Sequence, residues 1–99
     1  IRSKPSEYFS RQCFIGSSTF SRAEIAARKE IGIDKMMIGM DFPHHEGTVV
    51  ETTEDYLRAT LGAEQVPVSE VAMMLGETAA HVFGFDLARY PRACLIRRA

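Results

Sequence analysis

The residues best suited to chemistry lie in one short stretch, Asp41-Phe42-Pro43-His44-His45-Glu46, which puts two acids and two imidazoles directly after an apolar run. A carboxylate so placed can ligate a divalent cation, or take a proton from water that the cation has made more acidic. On spacing alone, Asp41 serves equally well as a turn acid bonding its own backbone ahead of Pro43. His44 and His45 are adjacent, so their side chains diverge in an extended loop. They lack the His-x-His or i, i+4 spacing with which one element grips a metal, and fit loop or outer-sphere positions better than a ligand pair. Glu46 reads as a solvated loop acid and His81 as a packed or surface residue of a helix.

The elements that must hold this stretch follow from apolar runs and helix signals. Cys13-Phe14-Ile15, closed by Gly16 and a Ser-rich stretch, reads as a first strand, and Met36-Met37-Ile38, between Lys35 and Gly39, as a second. Runs this short and uninterrupted are expected for strands buried on both faces of a parallel sheet. Before the first strand, Pro5 to Arg11 reads as the end of a helix or a short helical turn, with Pro5 suited to a first helical position. Between the strands, Ser21 and Glu24 have capping-box spacing. The spacing predicts a helix to about Ile31 with a stripe of Ala23, Ala27 and Ile31, ended by Gly32. Met40 to Glu51 reads as a loop. Thr52 or Thr53 then caps a helix whose Tyr56, Leu57, Thr60 and Leu61 share a face and which Gly62 closes. Beyond Pro67, Ser69 is expected to cap a helix carrying Val71, Met74 and Leu75, and a further helix runs from about Glu77 to Phe83, ending at Gly84.

A strand, helix, strand, helix order is the signature of parallel pairing, because a parallel return needs a crossover. Two such units do not close a sheet, so strands buried on both faces would require neighbours from other polypeptide. The 99 residues, 45% hydrophobic and 25% charged, allow one modest core. The net charge of -1 with interleaved signs offers no broad positive field, which argues against a nucleic-acid partner. The basic tail of Arg89, Arg92, Arg97 and Arg98 is read as a solvated terminus. With no long apolar run and no leader pattern, no membrane partner is expected, and the reading is of a cytoplasmic protein. Cys13 and Cys94 are expected as buried free thiols. The chain begins at Ile1 rather than Met, so upstream residues are expected, although processing would account for that equally well.

Gly39-Met40-Asp41-Phe42-Pro43-His44, followed by Glu46-Gly47-Thr48, resembles the Gly-Ser-Asp-Tyr-Pro-His segment of the amidohydrolase-related family, the aminocarboxymuconate-semialdehyde decarboxylase-like group. Leu75-Gly76-Glu77-Thr78-Ala79-Ala80 and Phe83-Gly84-Phe85 are similar to its closing Leu-Gly-Glu-Asn-Ala-Ala and Tyr-Gly-Phe, and Pro5-Ser6-Glu7-Tyr8-Phe9 to its approach to strand seven. Met40, Phe42 and Thr78 stand where the family has Ser, Tyr and Asn.

The resemblance implies an α/β chain, residues 1–99, forming the C-terminal two βα units of a (β/α)8 TIM barrel. Strand seven would span Cys13 to Gly16 and strand eight Lys35 to Gly39, each with its following helices. It implies a parent that is a metal-dependent hydrolase or nonoxidative decarboxylase acting on a small carboxylate-bearing or aromatic substrate. Asp41 would be its catalytic and metal-binding residue, His44 a substrate-contact or outer-sphere residue, and the cofactor a divalent ion, zinc in the first instance. The family's His-x-His pair and later histidine ligands have no counterpart here, so those ligands would lie outside the chain. Its partners would be a substrate and either the remainder of the barrel or further copies of itself, and alone it would be inactive. The alternative is a non-enzymatic α/β interaction or oligomerisation module in which Asp41 is only a turn residue.

Overall fold

A computed structural model describes residues 2–41 and 53–89. Helix α1 spans Pro5–Gln12, with proline in its first turn and the Glu7 carboxylate accepting from the Lys4 backbone N–H at 2.8 Å. Its last carbonyls are closed by Cys13, whose N–H donates to the Phe9 carbonyl at 2.9 Å. Cys13 is thereby spent on the helix end, and strand β1 begins later than its apolar run implies, at Ile15–Ser17. Strand β2 is Met36–Ile38, as its sequence predicts.

The two strands pair in parallel, Ile15 with Met36, Gly16 with Met37 and Ser17 with Ile38. Among the described residues the sheet has these two strands and no more. The expectation of burial on both faces is therefore not met: Met36 is buried, but Ile15, Ser17, Met37 and Ile38 are only partly covered and Gly16 is exposed. Cys13, at the end of α1, is also an exposed free thiol rather than a buried one; Cys94 lies outside the described residues.

The crossover holds two short helices, α2 (Arg22–Ala26) and α3 (Arg28–Ile31), separated at Ala27, whose ψ of 2° breaks the helical path. The capping box forms as its spacing predicts: the Ser21 hydroxyl accepts from the Glu24 N–H, and the Glu24 carboxylate accepts from the Ser21 N–H at 2.7 Å. The buried face follows the predicted stripe of Ala23, Ala27 and Ile31 only in part: Ala27 and Ile31 are partly covered, Ile31 against the core. Ala23 is exposed, while Ile25 and Arg28 are buried. Ile25 removes more apolar surface from water than an alanine can. Arg28 follows it inward because its Nε reaches Glu70 Oε2 at 2.7 Å and its Nη1 donates to the Ile25 carbonyl at 3.1 Å. Gly32, with φ of 111°, ends the segment and leads through a 3-10 turn, Ile33–Lys35, into β2.

Helix α4 starts at Thr53–Leu57 and continues through a wider turn, Arg58–Gly62. Tyr56, Thr60 and Leu61 are buried and Leu57 partly so, the predicted face. Gly62 is its last residue, as expected; the chain then turns at Gln65, with φ of 51°, where Val66 N–H donates back to the Leu61 carbonyl at 3.0 Å. The final helix starts at Val68 rather than after Ser69, because Pro67 in an extended conformation already serves as its cap and accepts from Glu70 and Val71. The two helices expected there are one continuous run. Helix α5 (Val68–Ala72) passes through a wider turn, Met73–Glu77, into α6 (Thr78–Phe83) with helical dihedrals at both junctions, and Gly84 ends it in the left-handed conformation.

Phe20, Ile25, Met36, Leu61 and Met74 form the core, one from the β1–α2 loop, one from β2 and three from the helices. Burying a side chain of this size contributes roughly 1.5–3 kcal/mol. The core thus joins the sheet to all three helical segments that follow a strand, and so sets where the loops at the strand ends can lie.

Candidate functional site: the cleft at the carboxyl ends of the strands

Because β1 and β2 are parallel and in register, their carboxyl ends fall side by side. Gly39 N–H donates to the Ser17 carbonyl at 3.1 Å, so the pairing reaches beyond the last strand residues. Ser17 and Ser18 continue from one strand, Gly39 to Asp41 from the other. Asp41 is exposed and has a φ of 48°, a left-handed conformation that aspartate tolerates better than most side chains.

Asp41 lines a cleft of about 560 Å³ together with Ser17, Ser18 and Gly39, while Met37, Ile38 and the α6 residues Ala79 and Phe83 add an apolar part. The Ser17 hydroxyl donates to the Thr19 carbonyl at 3.0 Å and accepts from the Thr19 N–H at 3.3 Å, shaping the loop by a local side-chain turn. One carboxylate beside hydroxyls and an apolar wall can offer a single oxygen ligand to a cation, or hold a proton next to a bound organic molecule.

His44, His45 and Glu46 lie outside the described residues. His81 is exposed on α6 and lines a different cleft, of about 450 Å³, near the amino ends of the strands, so the fold does not bring it to the cleft of Asp41. Among the described residues no three histidine, cysteine or acidic side chains converge as a metal site. Asp41 therefore fits one place in a ligand set and does not complete one.

Two buried polar groups were read from the sequence only as parts of an apolar face or a strand boundary. The Tyr56 hydroxyl accepts from the Phe20 N–H and donates to the Phe20 carbonyl at 3.0 Å. Burial pushes its pKa above the usual tyrosine value, with the hydrogen bond from Phe20 opposing the shift. A tyrosine on an apolar stripe is the available signal, since its hydroxyl needs a partner once buried. Lys35 is buried with its ammonium 4.4 Å from the Phe14 ring centroid and 3.8 Å from the Asp34 carboxylate.

No family model, no characterised protein and no solved structure matches this chain. Among the described residues no helix is long and apolar enough to cross a membrane.

Proposed function

We propose that this chain supplies strands seven and eight, with their following helices, to a metal-dependent (β/α)8-barrel enzyme of the amidohydrolase-related kind. The parent would be a hydrolase or nonoxidative decarboxylase of small carboxylate-bearing or aromatic compounds. The observation that carries the reading is the position of Asp41, just past the carboxyl end of β2 in a cleft shared with the carboxyl end of β1. In parallel barrels catalytic groups come from this end of the strands. Parallel pairing through a helical crossover, with one neighbour per strand among the described residues, supports it further, as does the paired Gly39–His44 and Leu75–Phe85 resemblance.

A divalent ion, zinc in the first instance, would supply Lewis acidity at this cleft, with Asp41 giving one ligand oxygen and the rest coming from other polypeptide. The part of Asp41 in the chemistry is to hold and release a proton at its carboxylate, beside a substrate that the apolar wall of Met37, Ile38 and Phe83 keeps partly from water. His44 would contact the substrate or orient a ligand.

The test is Asp41→Asn and Asp41→Ala in the parent enzyme. We expect kcat/KM to fall by roughly 10²–10⁴-fold, the range that general acid–base groups contribute, and bound zinc per polypeptide to drop. Unchanged turnover with unchanged metal content would end the proposal.

A further inference from the structure

Asp41 and the serines that share its cleft belong to different loops, and a single side chain ties one of those loops to the helix that begins at Thr53, beyond Asp41 in the chain. Tyr56 is 7% exposed, and its hydroxyl meets both backbone polar groups of Phe20, 36 residues away. A hydroxyl that accepts from the N–H and donates to the carbonyl of one residue restricts rotation of both adjoining peptide planes. It also satisfies two backbone groups that burial would otherwise leave without partners. The Phe20 side chain is itself in the core at 3% exposure, so the segment is anchored twice at this point. At its other end it is anchored by the pairing of Ser17 with Ile38, and between the two by the Ser17–Thr19 turn. Thr60 extends the anchor into α4 by donating to the Tyr56 carbonyl at 2.8 Å.

We propose that Tyr56 is a positioning residue for the Asp41 cleft: by clamping Phe20 it holds the Ser17–Ser18 wall in place against the carboxyl end of β2. This rests on the enzyme reading for its consequence in turnover, but not for its consequence in structure. Tyr56 lines no part of the cleft itself; it acts through the loop. The hydroxyl, not the ring, carries the effect, because the ring would fill the same space in phenylalanine.

Two measurements test it. In this 99-residue chain, Tyr56→Phe is expected to speed amide exchange at Phe20 by at least about tenfold and to shift the backbone resonances of Ser17 to Phe20. Leu61→Val, a change on the same buried face that leaves the hydroxyl alone, is expected to lower the melting temperature without either change. In the parent enzyme, at a temperature where every variant is folded, Tyr56→Phe is expected to raise KM roughly tenfold with kcat within about threefold and zinc content unchanged, while Leu61→Val leaves KM alone. Phe20→Leu, which loosens the segment from its core side with the hydroxyl intact, gives an independent route and should also raise KM above that of Leu61→Val. Equal KM values across the three variants, or a Phe20 amide as protected in Tyr56→Phe as in the unaltered chain, would overturn the positioning role. Retained turnover in Asp41→Ala would overturn the enzyme reading alone, since the amide measurement still reports on the loop.

Discussion

Thr78 is 5% exposed, and among the described residues its Oγ1 is the one buried side-chain polar atom without a hydrogen-bond partner. A desolvated hydroxyl with no partner costs stability that an isosteric methyl would not. Thr78→Val should therefore raise stability by about 1 kcal/mol, seen as a higher urea midpoint at unchanged slope. Asp41 and Tyr56 show how differently single residues can be read in advance. Asp41 stands out because an acid directly after an apolar run has no packing reason to be there. The partner of Tyr56 was hidden: Phe20 is 36 positions away and is engaged through its backbone, which has the same chemistry at nearly every residue.

At the level of elements, the Ser21–Glu24 box is the most local device in the chain and was fully legible. Ser21→Ala should cost about 1 kcal/mol, the usual value of a lost cap, measurable by urea unfolding at neutral pH. The box is also sensitive to acid. Hydrogen bonding first from the Ser21 backbone, and then from its side chain, holds the Glu24 carboxyl below its ordinary value of 4.5. The folded pKa is thus lower than the unfolded one, so the contribution is complete above the unfolded value and is lost as pH falls through the folded value. The difference between Ser21→Ala and the unaltered chain should accordingly be smaller at pH 3 than at pH 7. Element boundaries were harder to read. Cys13 had the composition of a strand residue but was taken by the end of α1, and the helix expected to be capped by Ser69 began at Val68, with the Pro67 carbonyl accepting at its first turn. In each case a backbone hydrogen bond set by the neighbouring element outweighed local preference.

For the whole molecule, the decisive feature is a parallel sheet of two strands, each with one neighbour among the described residues. Such a sheet leaves backbone donors and acceptors along its outer edges, and Phe83, Phe85 and Leu87 add apolar surface at 65%, 56% and 49% exposure. The isolated chain is expected to self-associate, its weight-average mass in sedimentation equilibrium rising with concentration in the micromolar range. A constant monomer mass would count against the barrel reading and favour a self-contained module.

Periodicity, capping residues and short apolar runs determined by themselves that this is an α/β chain with two parallel strands, a helical crossover and Asp41 just past the second strand, because each of those signals acts within a few residues. Which residues of the crossover helices became buried, where β1 began, that two predicted helices fused into one, and that Tyr56 clamps Phe20 were decided only on folding. They depend on competition among groups far apart in the chain for a small buried volume and for the same hydrogen-bond partners.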